Sequence, residues 1–262
     1  MSSFFDIAAI NYDDTFTNTK IGWEQRKKVY QNLDFVLNSE KQLDILELNC
    51  GTGADAIALA EKGHHIIATD ISQEMIKVAN TKNNHDALQF QVLDCNELSE
   101  NTFQKQFDLI FSNFGGLNCL SPNELKKLLK TASELLLPEG KLILVLMPKK
   151  CLWERLYFAL KGDFKKSKRR NTKKALLVNV DGVQVPTWYY NPKDIELLLE
   201  HNFKITNCTP VGITVPPSYL EKSILTQFPI WNVLKSLEQH ISNTFWTKYA
   251  DHFLIELTKE CL

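Results

Sequence analysis

With 262 residues and 31 acids against 30 lysines and arginines, the chain carries a net charge of -1. That is length enough for one decorated domain or two small ones, and it excludes a global electrostatic pull toward nucleic acid or an anionic membrane. Six cysteines (Cys50, Cys95, Cys119, Cys151, Cys208, Cys261) are scattered with no CxxC pair, which argues against a metal site of the zinc type and for a reducing, cytoplasmic compartment.

Residues 1–5 lack a basic region followed by a long apolar stretch, and the strongest later apolar run, 142–147, is far too short to span a bilayer. Neither a leader nor membrane insertion is expected. The first structural signal is the apolar run 43–48, of strand length. Gly51 and Gly53 then bend the chain, 54–61 carries good helix formers, and Gly63 closes that helix as a left-handed cap. Residues 65–69 read as a second buried strand with Asp70 at its end. This is a half-site for a nucleotide cofactor: glycines let backbone amides approach a ligand, and an acid at the second strand tip can accept both hydroxyls of a ribose.

Further along, 88–93 is strand-like and followed by Asp94, and 107–111 is a fourth strand. Ser121-Pro122-Asn123-Glu124 is a capping box with proline at the first helical position, predicting a helix to about Leu136. The turn Leu137-Pro138-Glu139-Gly140 precedes a fifth strand over 141–147. Asn191-Pro192 opens a helix through Glu200, 203–211 is a sixth strand, and 252–258 a last one. The alternation predicts an α/β fold, a doubly wound parallel sheet covered on both faces.

The loose dinucleotide pattern GxGxxA is satisfied by Gly51, Gly53 and Ala56, but Glu47 at the tip of the first strand argues against a pyrophosphate there. At an effective dielectric of about 20 and a gap of about 5 Å, each like-charge pair costs about 3 kcal/mol. A cationic ligand reverses the sign. S-adenosylmethionine, with an ammonium and a sulfonium, makes an acid at this position favourable.

Glu47, Asn49, Gly51 and Gly53 resemble the (D/E)xGxGxG first motif of the class I S-adenosylmethionine-dependent methyltransferases, with Asn49, which tolerates positive φ, where the family prefers glycine. The resemblance runs through Asp70, Asp94 and the two following strands, over roughly 40–148. It implies a seven-stranded, mostly parallel Rossmann-like sheet, an antiparallel last strand, S-adenosyl-L-methionine as cofactor and S-adenosyl-L-homocysteine as product. It also implies that Asp70 meets the ribose and that Asp94, with the Cys95 amide, meets adenine. Asn49, Cys50 and the two glycines would form the turn beneath the cofactor, with Ile71 and Met75 packing on the purine; Met75 could equally be helix core. Phe5-Asp6, Ala9 and Tyr12-Asp13 are similar to the FDxxAxxYD opening of the ubiquinone/menaquinone-type and related small-molecule methyltransferases. Tyr12 and Arg26 would then lie over the cofactor, Arg26 gripping the methionine carboxylate unless it merely solvates a helix beginning near Trp23.

The expected organisation is an N-terminal cover (1–40), a cofactor-binding core (41–148), an insertion (149–190), a core helix and strand (191–211), a helical insertion (212–250) and the final strand (251–262). Ligands of such sheets bind at the C-terminal strand ends. Both insertions leave or return there, so they and the N-terminal cover are expected to close the pocket and bind substrate. After the fourth strand, Asn113 and Phe114 are expected to line the cofactor or substrate. No (N/D)PP(Y/F) motif stands there, which lowers nucleic-acid base methylation and raises a small-molecule acceptor.

The basic run 161–174 reads as a solvated loop or a site for an acidic partner, such as a phosphorylated or carboxylated substrate, a carrier protein or a membrane surface. Trp188-Tyr189-Tyr190 could form an apolar wall, with Tyr189 or Tyr190 touching substrate. His252 is the histidine the topology puts at the active edge, as a base or as packing. Methyl transfer to a small, partly apolar molecule is the expected function. The alternatives are a protein or RNA methyltransferase using the basic insertion, a non-enzymatic cofactor-binding interaction protein, and a nicotinamide oxidoreductase.

Overall fold

The computed structural model describes residues 5–180 and 182–260. Residues 1–4, Asp181, Cys261 and Leu262 lie outside them, and with them most of the segment read for a leader, the sixth cysteine and the end of the expected final segment.

The N-terminal stretch holds a π-type turn, Asp13–Thr17, then helix α1, Lys20–Tyr30, capped where the Thr19 side chain accepts from the Gly22 amide, and the single turn α2, Asp34–Leu37. The core follows as β1 (Asp44–Leu48), α3 (Ala54–Ala60), β2 (His65–Asp70), α4 (Gln73–Lys82), β3 (Leu88–Val92), β4 (Phe107–Ser112), α5 (Pro122–Leu135) and β5 (Leu136–Leu146). Then come α6 (Leu152–Leu160), a hairpin of β6 (Leu176–Val180) and β7 (Val183–Thr187), α7 (Pro192–Leu198), β8 (Phe203–Val211), α8 (Ile230–His240) and β9 (His252–Lys259).

Seven strands form one sheet in the order β3-β2-β1-β4-β5-β9-β8. All are parallel except β9, which runs antiparallel to both β5 and β8. This is the doubly wound, mostly parallel sheet that the sequence predicts. The chain steps outward from β1 to β3 and then returns to the other side of β1 for β4. The crevice at the C-terminal ends of β1 and β4 is therefore the switch point where such sheets bind ligands.

Alternating side chains supply both faces. On β5, Leu142 and Leu144 join one core with α5 and α7, while Ile143 and Val145 join the other with Val29, Leu59 and Ile66. These positions are closed to solvent, as expected of a strand covered on both sides. Two boundaries shift from the sequence reading. Strand β5 begins at Leu136, which pairs with Phe107, and the expected turn is a bulge inside it: Glu139 takes φ 61° before Lys141 pairs with Leu109. Helix α7 stops at Leu198; Ser121–Glu124 makes a reciprocal capping box, and at Asn191 the backbone amide donates to the Asp194 side chain.

The first insertion departs further. Its β6–β7 hairpin was not predicted, although Leu176, Val178, Val180, Val183 and Val185 around Asp181-Gly182 carry the alternating pattern of one. The basic run is also partly internal. Arg169 forks onto Glu154 with two bonds of 3.0 Å, and Arg170 bonds Glu154 at 3.0 Å and Asp251 at 3.1 Å. Burial alone would raise the Asp251 carboxyl, but the neighbouring His252 and Arg170 outweigh it and hold it below the usual carboxylate range. Two of the eight cations in 161–174 are therefore used inside the fold instead of facing a partner: Arg169 holds Glu154 within the insertion, and Arg170 joins that acid to Asp251 at the head of β9. Among the described residues five cysteines are free, and no helix is long and apolar enough to cross a membrane.

Candidate active site

At the switch point lies a cavity open to solvent, lined by Tyr12, Thr17, Arg26, Glu47, Asn49, Cys50, Gly51, Thr52, Ala54, Asp55, Asn113 and Phe114. Its geometry begins at the tip of β1. Ile45 and Glu47 share one face of the strand, so Glu47 stands where an aliphatic side chain would continue the core, and it is 1% exposed. Its Oε2 has no hydrogen-bond partner. Burial, with Asp55 adding repulsion and Arg26 opposing it, pushes the Glu47 carboxyl well above the ordinary carboxylate value. A buried acid left without a partner is costly unless a cation or a donor meets it.

The chain then bends through three left-handed residues, Asn49 (φ 57°), Gly51 (φ 54°) and Gly53 (φ 81°). Asparagine serves at the first of these because it tolerates the region better than other side chains. The two glycines serve different ends. A Cβ at Gly51 would meet only the Tyr12 ring, at 3.7 Å, so there the missing side chain leaves the turn open toward the cavity. A Cβ at Gly53 would lie 2.5 Å from the Phe90 ring and 3.0 Å from Ala79, so this glycine lets α3 pack against α4 and β3.

The Gly51 amide donates to Asp70 Oδ2 at 2.9 Å, and the Ser72 amide donates to Oδ1 at 2.8 Å. Burial raises the Asp70 carboxyl, against the lowering effect of those two amides. Each oxygen accepts one backbone bond and retains a lone pair for a further donor.

On the far wall, Asp55 is the hub. It sits in the first turn of α3, where an acid also meets the helix dipole. Its Oδ1 accepts from Arg26 Nε at 2.8 Å and Tyr30 Oη at 2.7 Å, and its Oδ2 accepts from Asn113 Nδ2 at 3.0 Å. Arg26 is thus buried and paired, not solvating α1. Desolvation would lower its pKa, but Asp55 outweighs it and the guanidinium stays firmly charged. The Arg26 guanidinium carbon also lies 5.0 Å from the Phe114 ring centre. Phe114 itself takes φ 47°, with its ring edge-on to Phe16 and to His252 at 4.9 and 5.9 Å. Such a backbone in a non-glycine residue is held only by its surroundings; here a Cβ added at Gly116 would sit 2.5 Å from Asn49 Cβ, which shows how tightly the loop is seated on the turn.

The N-terminal segment closes the β2 side. Ser72 Oγ donates to Asp6 at 2.6 Å, Thr52 Oγ1 and Lys82 Nζ donate to Asp13 at 2.6 and 2.7 Å, and Ala8 and Ala9 pack on Met75. Tyr12 lies in this closure, and burial pushes its phenol up to about 12.

Of the residues singled out from sequence, Tyr12, Arg26, Glu47, Asn49, Cys50, Gly51, Asn113 and Phe114 meet around the one cavity, and Asp70 joins them through the Gly51 amide. The rest stand apart. Asp94 caps the short 3-10 turn Cys95–Glu97, with Oδ1 accepting from the Asn96 amide at 2.8 Å, and Cys95 is buried with Sγ 3.6 Å from Asn49 Oδ1. Ile71 is exposed, whereas Met75 is fully covered, as helix core.

Three expectations are corrected. Among the described residues none from either insertion lines the cavity; its walls come from the N-terminal stretch and the core. Tyr189 and Tyr190 do not wall it either, because Tyr189 lies buried with its ring 5.2 Å from the Arg170 guanidinium and Tyr190 is core, donating to the Leu120 carbonyl at 2.5 Å. His252 is packed behind Phe114, its Nδ1 3.3 Å from Asp251 Oδ2 without the alignment of a hydrogen bond. Sequence reasoning missed Asp55, Thr17 and Thr52; an acid two residues after Gly53, facing Arg26 and Tyr30 spaced i, i+4 on α1, is the signal that could have found the first.

Residues 45–140 match the family described as a methyltransferase domain. The chain is 29% identical over 145 residues to demethylmenaquinone methyltransferase of Clavibacter sepedonicus, covering 55% of this chain and 56% of that one. It is 29% identical over 111 residues to malonyl-[acyl-carrier protein] O-methyltransferase of Bacillus anthracis, covering 42% and 39%. It thus spans about half or less of the length of these curated relatives. An S-adenosylmethionine-dependent methyltransferase of Mesorhizobium loti superposes on 88% of this chain and 97% of its own with a TM-score of 0.56 at 13% identity. At that identity the likeness establishes the fold.

Proposed function

We propose that this chain, whose residues 45–140 match a methyltransferase domain, transfers a methyl group from S-adenosylmethionine to a small, partly apolar acceptor. The observation that carries the reading is Glu47: a carboxylate 1% exposed, with an unpartnered oxygen, at the edge of the switch-point cavity. An ammonium satisfies that oxygen and draws the acid into its charged form, whereas a pyrophosphate meets repulsion there.

The remaining residues fit the rest of such a molecule. Asp70 has lone pairs left for two ribose hydroxyls, Gly51 lets the backbone come close, and Tyr12 and Phe114 supply aromatic cover. Arg26, committed through Nε to Asp55, fixes the wall and adds positive potential where a carboxylate would lie. When bound, the cofactor supplies a methyl group already activated by its sulfonium. The work left to the chain is alignment and exclusion of water, which can contribute about 7 to 11 kcal/mol. Among the described residues lining the cavity the buried bases are the acids already assigned, so an acceptor that ionises readily or carries a lone pair suits the site best. The free cysteines support a reducing, cytoplasmic setting. Use of two insertion arginines inside the fold weakens the RNA and protein alternatives.

Isothermal titration with S-adenosylmethionine and with NADH tests the reading: the first binds and the second does not. An Asp70→Ala variant should lose about 1.5 to 3 kcal/mol of affinity, the worth of hydrogen bonds to a charged acceptor. Wild-type affinity in that variant would contradict the site. A tritiated-methyl screen over metabolite, protein and RNA fractions then identifies the acceptor class, with label expected in the metabolites.

A further inference from the structure

Helix α6 is inside out. Its one acid, Glu154, is 2% exposed, neutralised by Arg169 and Arg170, while Leu152, Leu156 and Leu160 are 40%, 50% and 80% exposed. Their i, i+4, i+8 spacing puts them on one face, and Phe164, 68% exposed, stands in the loop just beyond the helix end at Leu160. An amphipathic helix on a globular surface normally does the reverse. A contiguous exposed apolar face of this kind marks a contact surface.

The charge around that face has one sign. Residues 149–174 hold eleven lysines and arginines against two acids in a chain of net charge -1. Of those acids Glu154 is buried and paired, and Asp163 pairs with Lys166. At the other end of the helix the Leu152 amide donates to the Tyr249 carbonyl at 2.9 Å, and the Tyr249 ring has Lys150 and Lys248 ammoniums 5.5 and 5.2 Å away. Leucines presented side-on by a helix, with lysines at both ends and an aromatic ring between two of them, match an interfacial helix lying in the headgroup region of an anionic bilayer.

We propose that the α6 face seats the protein on an anionic lipid surface, held by Leu156, Leu160 and Phe164 and by the lysines around residues 161–168. Because α6 leaves from the C-terminal end of β5, this would bring the active edge of the sheet near the membrane. The contact does not depend on the reaction proposed above.

Flotation of the full chain with vesicles tests it, comparing phosphatidylcholine alone with phosphatidylcholine containing one-third phosphatidylglycerol, at low and high salt. Binding to the anionic vesicles is expected, weakened by salt. The Lys165→Gln/Lys168→Gln double variant should lose about 25-fold in partitioning, at about fivefold per lysine, and Leu160→Ser about tenfold or more. Leu160 is exposed, so its variant should keep the wild-type melting temperature and the same affinity for S-adenosylhomocysteine. Equal flotation with both vesicle types, or unchanged flotation of the variants, overturns the proposal. So does failure to float accompanied by a dimer in analytical ultracentrifugation that Leu160→Ser dissociates, which would assign the face to a second copy. Capture of an acidic carrier protein without flotation overturns it equally.

Discussion

Replacing Glu47 with Gln removes an ionisable group from a site where the protein alone gives its Oε2 no partner. The side chain is 1% exposed and its Oε2 is unpartnered, so the acid is held above its ordinary value of 4.5 by burial first and by Asp55 second. As pH rises from that ordinary value toward the raised one, the unfolded chain gives up the proton while the folded chain keeps it. Folding therefore loses stability with rising pH across that window, by at most about 1.4 kcal/mol per pH unit from this one group. Glu47→Gln should lack that slope and be no less stable than wild type at neutral pH.

Binding should move the other way. A hydrogen bond to a charged carboxylate is worth about 1.5 to 3 kcal/mol, so the variant should bind S-adenosylmethionine about 10- to 150-fold more weakly. In the wild type, the bound cation forces Glu47 to ionise and release its proton, so affinity should rise with pH across the same window. Calorimetric titration in two buffers of different ionisation enthalpy reads that proton directly, and the variant should show none. Equal affinity and equal proton release in Glu47→Gln would refute the reasoning.

Three further outcomes follow from the packing. Asp55→Asn leaves the buried Arg26 guanidinium without its carboxylate and should cost about 3 to 5 kcal/mol in urea unfolding; a cost below 1 kcal/mol would mean that water solvates the pair. Gly53→Ala combines strain at φ 81° with a Cβ 2.5 Å from Phe90, whereas Gly63→Ala, at φ 89°, meets nothing within 4 Å. Both should lower the melting temperature, Gly53→Ala by several degrees more, and equal losses would show that the Phe90 ring yields. Asp251 is depressed by His252 and Arg170, so its contribution is fully present above the ordinary value of 3.8 and is lost as pH falls below it. Asp251→Asn should flatten that part of the acid limb of the stability curve, and an unchanged limb would remove the network from the account.

Much of this was legible because strand–turn–helix signals are local. The run from Asp44 to Asp70 could be read residue by residue, since glycine positions, strand-length apolar runs and strand-tip acids each have a short-range cause. What escaped reading was set by contacts distant in sequence. Arg26 looked free to meet a ligand until α1 was seen to lay it on Asp55, 29 residues away. The 161–174 run looked solvated until Asp251, 81 residues from Arg170, was found beside it. Tyr189 and Tyr190 sat at the correct edge of the sheet, yet burial turned them into packing, a choice that sequence spacing does not encode. The β6–β7 hairpin differs: its alternation and Asp-Gly link were present and went unread.

The most direct test of the central claim is a crystal structure with S-adenosylhomocysteine bound. The account predicts the amino group on Glu47, the ribose hydroxyls on Asp70 and the backbone of Gly51 close beneath. A crevice that stays empty at saturating ligand, or one that takes a dinucleotide with its pyrophosphate over the glycine turn, would contradict it.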